Sequence, residues 1–296
     1  MKALAIRSGM AIVLFGMLIA TPLTVSADVA VGDVVVSVGE DLTQEQKESV
    51  LNELDVSGDY MEVVTTNDEE HQYLGDYIPA AQIGSKALSS AKITYTKSGS
   101  GLEVDSSKIT WVSDEMYMNA LATAGVKDAR IEVTAPFQVS GTAALTGIIK
   151  AYETSSGEKI SEDVKQTANE EMVMTAELGD ELGTEEAGAF MTAMKEKLAE
   201  NTPENAEEMK QLVQQTADDL GIQLDQQTKD ELTQLFTRMQ DLNIDFNAVG
   251  DQLEEAKQKF DDFINSEEGK NFIQQIGDFV MAVLQAIADF FRSIFS

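Results

Sequence analysis

Side chains able to perform catalysis are few in this sequence, and their spacing completes no catalytic set. The chain has no cysteine, which excludes disulfides, thiolate metal sites and a cysteine nucleophile. The single histidine, His71, follows Asp68, Glu69 and Glu70 in a stretch that we expect to be a solvated loop. It could act as a general base, but an ordinary surface residue is the simpler interpretation, and one histidine cannot form a histidine-rich zinc site.

Ser89 and Lys92 match the S-x-x-K pattern, in which a lysine one helical turn away activates a serine nucleophile. Ser156 and Lys159 match it as well, which shows how common the pattern is. Because we expect residues 90–97 to form a strand, the sequence does not favour acyl transfer.

Residues 241–247 space oxygen-bearing side chains as an EF-hand calcium loop does. The glycine expected at the sixth position is Phe246, and the glutamate expected at the twelfth is Gln252. We therefore predict a buried connection between helices, no metal site and no cofactor. Weak binding of divalent cations by the acidic helix faces is expected instead.

A candidate binding surface combines a strand-to-helix turn with three aromatic residues. Backbone N–H groups at such a turn can hold an anion, although the lysine of a P-loop is missing. The aromatic rings could line a sugar or peptide groove, or pack in the core. The candidate residues are Trp111, Tyr117, Ser140, Gly141, Thr142 and Tyr152.

The first 27 residues have the pattern of an export signal. Lys2 and Arg7 precede an apolar run over residues 10–20, and Val25-Ser26-Ala27 resembles a cleavage site. The apolar run is shorter than the roughly 20 residues that a membrane span needs. We predict cleavage after Ala27, with an uncleaved anchor as the alternative, and therefore a secreted or extracellular protein.

Composition limits the partners that the protein can bind. The 296 residues are 43% hydrophobic, enough for a real core, and the net charge is −31. Nucleic acids and other polyanions are excluded as partners because binding phosphate needs clustered Lys and Arg. An unknown protein or a cell-wall polymer remains the expected partner.

The N-terminal part, residues 28–156, alternates strand and helix patterns, which predicts an α+β fold with helices packed on one mixed sheet. Thr43 and Gln46 form a capping box that begins the first helix. We expect residues 90–97 and 102–112 to form a hairpin, the second strand being broken near Ser106. Other strands are predicted at residues 34–38, 61–65 and 129–135, a loop or short helix at 67–79, and further helices from Ser113 or Asp114 and from Ser140 or Thr142.

From about residue 157 the strand patterns stop, and we predict an acidic, all-helical region that extends to residue 265. Thr202 as a cap with Pro203 at the first helical position predicts one helix that ends near Leu220. The other predicted helices span residues 164–178, 184–198, 225–242 and 245–263.

The last segment, residues 266–296, is predicted to be one amphipathic helix. Three interpretations remain open: packing in the helical core or a dimer seam, lying in a membrane interface, or spanning a membrane. The apolar face is formed by Ile273, Ile276, Val280, Val283, Ile287, Phe290 and Ile294.

Four stretches carry a resemblance to a known family: residues 34–54, 83–94, 108–153 and 221–246. The most specific is KITWVSDEMYMNALATAGVKDARIEVTAPFQVSGTAALTGIIKAYE. With these stretches the chain resembles the DUF1002 family of secreted bacterial proteins, the YpuA-like group. The resemblance implies export from Gram-positive-type bacteria and a cell-envelope or extracellular setting; it supplies no reaction and no catalytic residues.

The sequence thus favours a secreted, non-enzymatic, envelope-associated protein that acts by binding a partner. The alternative is a cell-wall-directed hydrolase that uses paired carboxylates. Such a pair cannot be recognised in a chain with 52 acidic residues, because pairing depends on spatial proximity.

Overall fold

The computed structural model of the protein describes residues 29–254 and 258. It confirms the α+β class, with a five-stranded mixed sheet in the N-terminal part and helices that pack on it and follow it. The strands are β1 (Val34–Gly39), β2 (Met61–Thr65), β3 (Ser90–Tyr95), β4 (Leu102–Ser106) and β5 (Ala129–Thr134).

Ten helices are described within this part of the chain, and most begin at a side-chain cap. Thr43 and Gln46 form the predicted capping box of the first helix. The helices are α1 (Gln44–Glu53), α2 (Asn67–Leu74), α3 (Ala80–Ile83), α4 (Asp114–Thr123), α5 (Thr142–Ser156), α6 (Glu162–Leu182), α7 (Thr184–Glu200), α8 (Ala206–Asp219), α9 (Gln226–Asp241) and α10 (Phe246–Gln252).

The strands are ordered β2-β1-β3-β5-β4. The pairs β1–β2 and β4–β5 are parallel, whereas β3 runs antiparallel to both β1 and β5. Helix α4 connects β4 to β5, so these two strands form a parallel unit with a helical crossover, as parallel neighbours require.

The predicted hairpin of residues 90–97 and 102–112 is wrong, because β5 lies between β3 and β4. The connecting loop crosses the end of β5 and is held there by Asp128. Its Oδ1 accepts hydrogen bonds from the backbone N–H groups of Gly99 (2.9 Å) and Gly101 (3.1 Å). The glycines therefore serve a loop that passes over a third strand. The predicted break is confirmed, since β4 ends at Ser106.

Helix α5 packs closely on one face of the sheet, against β1, β2 and β3. The contact depends on Gly147, where a Cβ atom would lie 2.1 Å from the Oγ of Ser37 and 2.5 Å from the Oγ1 of Thr65. Those two buried hydroxyls hydrogen-bond each other at 2.8 Å. Only glycine at this position lets the helix axis come so near the strands.

The described residues form two hydrophobic clusters. The first lies between the sheet and α4, α5 and part of α6, and the second lies among the helices from the end of α6 to α10. Helix α6 joins the two, and a fully buried ion pair between Lys195 and Glu171 links it to α7. Asn119 and Thr123 of α4 complete this polar network with hydrogen bonds to Lys195 and Glu171, respectively.

The start of helix α8 differs from the sequence expectation. Helix α8 begins after Asn205, whose side chain accepts from the N–H of Glu208, so Thr202 is not the cap and Pro203 precedes the helix. Helix α5 begins at Thr142, one of the two predicted starts, and it has no side-chain cap.

The stretch 67–79 is helical at its start, where Thr66 and Glu69 form a capping box for α2. His71 therefore lies on a helix and not in a solvated loop. Its Nε2 is 3.0 Å from the carbonyl oxygen of Gly84, so the ring is tied to the segment that leads into β3.

Within residues 29–254, no helix has the length and apolarity needed to span a membrane. The predicted export signal and the predicted C-terminal helix lie outside the described residues. A helix was predicted at residues 245–263. The structure describes its first part, α10, which Asp245 caps.

Candidate functional site

A cavity of about 200 Å³ lies where α2, α5 and α6 meet. Each helix contributes side chains spaced four residues apart, which places them on one face of that helix. We refer to it as the α2–α5–α6 cavity. Its lining residues are Glu69 and Tyr73 of α2, Thr146, Ile149, Lys150 and Glu153 of α5, and Lys165 and Asn169 of α6.

Lys150 lies at the edge of the α2–α5–α6 cavity that is nearest the sheet. Its Nζ is 2.5 Å from Oε1 of Glu69 and donates to the carbonyl oxygen of Val64 at 2.8 Å. Burial alone would raise the pKa of Glu69, but the hydrogen bonds from Lys150 and from the backbone of Thr66 outweigh it and lower that pKa. The Glu69 carboxylate is therefore ionised and held in place.

Lys165 supplies the second ammonium of the cavity. Its Nζ lies 2.8 Å from Glu153 and 3.1 Å from Glu162, and 5.9 Å from the centre of the Tyr73 ring. Burial opposes the charged form, but the hydrogen bonds that Lys165 donates to both glutamates outweigh it and raise the pKa of Lys165. The lysine thus stays protonated although its side chain is only 11% exposed.

Two buried polar atoms, on residues that line the α2–α5–α6 cavity, have no hydrogen-bond partner among the described residues. They are the Oδ1 of Asn169 and the Oγ1 of Thr146, on residues that are 0% and 4% exposed. The Nδ2 of Asn169 donates to the carbonyl oxygen of Lys165 at 2.8 Å. Since a carbonyl only accepts, this bond fixes the amide orientation and leaves Oδ1 as the unpaired acceptor.

A buried polar group without a partner costs about 1–3 kcal/mol, and such groups often mark functional positions. Two of them lie buried on residues that line the cavity, and the cavity also has two ammonium groups and two carboxylates. Its carboxylates neutralise lysines, and that of Glu69 has a lowered pKa. This arrangement is suited to holding a polar ligand by hydrogen bonds and charge, and it lacks the acid of raised pKa that general acid catalysis at neutral pH needs.

A second polar cluster lies on the other side of α2, around Glu70. This residue is 1% exposed, and it accepts hydrogen bonds from Asn67 and from Thr142, both at 2.9 Å. Burial raises the pKa of Glu70 to about 7. The carboxyl group is enclosed by protein. Its hydrogen bond with Thr142 stabilises the start of α5, and we do not assign a ligand site to this cluster.

The structure brings part of the candidate binding surface together in this region. The hydroxyl of Tyr117 donates to the carbonyl oxygen of Gly141 at 2.6 Å, and Ser140 and Thr142 hydroxyls lie 3.2 Å apart. The tyrosine is 0% exposed, and burial raises its pKa well above the ordinary value. The N–H of Ala144 in the first turn of α5 is already bonded to the Oγ of Ser89.

The remaining predicted residues lie apart from that turn. Tyr152, near the end of α5, is buried with its ring centre 6.3 Å from that of Tyr95, and Trp111 packs half-buried against the first hydrophobic cluster. The predicted apolar face of residues 273–294 lies outside the described residues.

The serine and lysine of the first S-x-x-K match serve separate contacts. Ser89 binds the start of α5, whereas the Nζ of Lys92 donates to the carbonyl oxygen of Leu54 and lies 2.5 Å from Glu132. Within residues 29–254, no group of three or more His, Asp or Glu residues is arranged to hold a metal ion.

Sequence reasoning did not find the α2–α5–α6 cavity. The sequence contained one weak indication of the cavity. Lys165 and Asn169 are four residues apart, on the face of α6 that buries Ala168 and Met172. Polar residues at helical spacing on a buried face require partners. Which helices supply those partners follows only from the fold.

Comparison with known proteins places the chain in a family. The family model for DUF1002, a protein of unknown function, matches residues 38–256. The uncharacterized protein YpuA of Bacillus subtilis (strain 168) is 51% identical over 277 residues, which cover 93% of this chain and 96% of that protein. No solved structure matches. The extent of both matches shows that the chain belongs to the DUF1002 family.

Proposed function

We propose that the protein is exported to the cell envelope and acts there by binding, without catalysing a reaction. The site of binding is the α2–α5–α6 cavity. The observation that carries the proposal is the cavity in which the ammonium groups of Lys150 and Lys165 meet the carboxylates of Glu69 and Glu153.

The export part of the proposal rests on the first 27 residues. A charged start, a short apolar run and the Val25-Ser26-Ala27 sequence are the features of a cleaved signal. The chain has no cysteine, so its stability comes from packing such as that of the two hydrophobic clusters, which folding outside the cell also permits.

Binding is favoured over catalysis by the state of the cavity carboxylates. Glu69 and Glu153 each pair with a lysine, whereas a hydrolase with paired carboxylates needs one that stays protonated as the acid. Burial raises the pKa of the Glu70 carboxyl group to about 7. This group is enclosed by protein and accepts hydrogen bonds from the amide of Asn67 and the hydroxyl of Thr142. We therefore do not propose a cell-wall hydrolase, but the experiment below includes a result that would favour one.

The experiment has two readouts on protein produced from the full gene in a Gram-positive host. The first is cell fractionation with N-terminal sequencing of the recovered chain. We expect it in the envelope or medium with Asp28 as its first residue. Recovery in the cytoplasm with Met1 at its start would contradict export.

The second readout is native mass spectrometry of the same material, with an Asn169→Leu variant as comparison. We expect a noncovalent small-molecule adduct that the variant has lost. Identical spectra without an adduct would contradict binding at this site, and release of soluble fragments from purified cell wall would favour the hydrolase. The segment 266–296 remains a predicted helix for self-association or membrane-interface contact.

A further inference from the structure

We propose that the side chains of Lys195 and Asn119 join by an intramolecular isopeptide bond, with Glu171 as the acid–base group of the reaction. The three residues come from three helices, Asn119 from α4, Glu171 from α6 and Lys195 from α7. The bond would tie α4 to α7 covalently in a chain that has no cysteine for disulfides. This modification is separate from the proposed binding function and does not depend on it.

The three side chains are completely enclosed. Asn119, Glu171 and Lys195 are each 0% exposed. An ammonium and a carboxylate both lose their hydration in such a place, and a buried ionisable group reduces that cost by becoming neutral. Transfer of one proton from Lys195 to Glu171 leaves a neutral amine beside a neutral acid. Burial lowers the pKa of Lys195 from its ordinary value, and the neutral amine is the nucleophilic form.

The amine of Lys195 lies next to the amide group that it would attack. Its Nζ is 3.1 Å from the Oδ1 of Asn119 and 2.8 Å from the backbone carbonyl oxygen of the same residue. Since Oδ1 is bonded to Cγ at about 1.2 Å, the Nζ lies within about 4.3 Å of Cγ. Reacting atoms come to about 3–3.5 Å, so a shift of about 1 Å completes the approach.

Hydrogen bonds hold the Asn119 amide in the orientation that the attack needs. Its Nδ2 donates to the backbone carbonyl oxygen of Glu115 at 3.1 Å. Because a carbonyl only accepts, this bond identifies the nitrogen and places Oδ1 on the side of Lys195. The hydroxyl of Thr192 lies 3.4 Å from Oδ1, where it can donate to the negative charge that develops on this oxygen during attack.

Glu171 is placed to move the protons of the reaction. Its Oε1 forms the ion pair with the Nζ of Lys195. Its Oε2 accepts a hydrogen bond from the hydroxyl of Thr123 at 2.6 Å, which turns the carboxyl group towards the lysine. A carboxyl group in contact with the attacking amine can take its proton and pass a proton to the leaving group.

The atoms of the reaction balance without an oxidant or a further reactant. The neutral Nζ of Lys195 attacks the Cγ of Asn119 and forms the new C–N bond. As the bond between Cγ and Nδ2 breaks, protonated Glu171 gives its proton to Nδ2 and takes one from Nζ. Nδ2 leaves as ammonia, and Glu171 ends as the acid that it was. The ion pair in the structure is the state before the bond forms.

Mass spectrometry of the purified protein tests the proposal. We expect most chains to be lighter, by one molecule of ammonia, than the mass calculated from the sequence and the observed N-terminus. Trypsin cuts after Lys and Arg, but it does not cut after a lysine whose amine is in an amide bond. Digestion should therefore give a branched product in which peptide 109–127, with Asn119, is joined to peptide 166–197, uncut at Lys195.

Variants separate the chemistry from the packing. Asn119→Ala cannot form the bond and should have its calculated mass. Glu171→Gln keeps the shape of the side chain but cannot transfer the proton, so the linked fraction should fall at least about tenfold. The matched control is Glu170→Gln, which replaces the neighbouring carboxyl group, the partner of Arg238, and should leave the linked fraction unchanged. Circular dichroism melts confirm that each variant is folded.

The natural chain alone decides the proposal, even if a variant does not fold. Recovery of the two peptides unlinked, with the calculated intact mass, would show that Lys195 and Glu171 form an ion pair only. Loss of ammonia without a link would also contradict the bond, because an asparagine can lose ammonia by closing on its own backbone. An equal linked fraction in Glu171→Gln would contradict the role of Glu171. In a linked chain, Lys195→Met should destabilise the protein more than loss of the ion pair alone does, since it also removes a cross-link.

Discussion

Replacing the buried Glu70 by glutamine should change the pH dependence of stability more than any other single carboxyl replacement around α2. Glutamine has nearly the same shape and can keep both hydrogen bonds, since its oxygen accepts from Asn67 and its amide donates to the hydroxyl of Thr142, which now accepts. What it removes is the ionisation of a carboxyl group that is 1% exposed. The effect of the substitution therefore isolates the cost of burying that charge.

The magnitude follows from the pKa in the two states. The folded pKa of Glu70 is about 7 and the ordinary value is 4.5, and each pKa unit corresponds to about 1.36 kcal/mol. Because the folded pKa is raised, stability is fully present below pH 4.5 and is lost as the pH rises to about 7. We expect the free energy of unfolding of Glu70→Gln, relative to the natural protein, to rise by about 3 kcal/mol between pH 4 and pH 8.

Urea unfolding followed by circular dichroism at pH steps from 4 to 8 measures this difference. Glu69→Gln is the matched control, because the pKa of Glu69 is lowered. Its carboxylate contributes stability above the ordinary pKa that is lost as the pH falls, so this variant should be destabilised at neutral pH and less so in acid. If the free energy of unfolding of Glu70→Gln differed from that of the natural protein by the same amount at every pH from 4 to 8, the reasoning would be refuted.

Two further predictions concern packing and charge in the interior. Lys195→Met should lower the free energy of unfolding by about 3–5 kcal/mol because it leaves the fully buried Glu171 carboxylate unpaired; adding Glu171→Leu should recover much of the loss, and an additive double variant would contradict a coupled pair. Gly147→Ala should cost about 1–3 kcal/mol by overpacking, since its Cβ would lie 2.1 Å from a hydroxyl of β1. Gly250→Ala, with nothing within 4 Å of its Cβ, should be neutral or stabilising by up to about 1 kcal/mol, and equal effects at the two glycines would contradict the packing. Urea unfolding at pH 7 measures these variants and the single Glu171→Leu variant that the additivity test requires.

Local signals in the sequence predicted the elements well. The capping box of Thr43 and Gln46 and the predicted helix starts at Asp225 and Asp245 depend on contacts within a few residues. The strand at 61–65 was predicted from its local composition. Thr202 misled because a proline after a threonine is a common helix start, whereas Asn205 three residues later forms the cap.

Strand order could not be read from the same signals. A glycine-rich loop between two strands predicts a hairpin, but β5, which follows in the chain, enters between β3 and β4 and pairs with both. Asp128, just before β5, holds the loop across the strand end. The α2–α5–α6 cavity was unpredictable for a similar reason, since its lysines and glutamates meet only after three helices have packed.

The central claim, that a small polar ligand occupies the α2–α5–α6 cavity, is tested most directly by nuclear magnetic resonance. The ¹⁵N-labelled protein is titrated with the low-molecular-weight fraction of cells that produce it, and the side-chain amide of Asn169 and the backbone amides around Thr146 and Lys165 are followed. We predict saturable chemical-shift changes concentrated at these three residues. Unchanged spectra, or changes confined to residues 206–252, would contradict the claim.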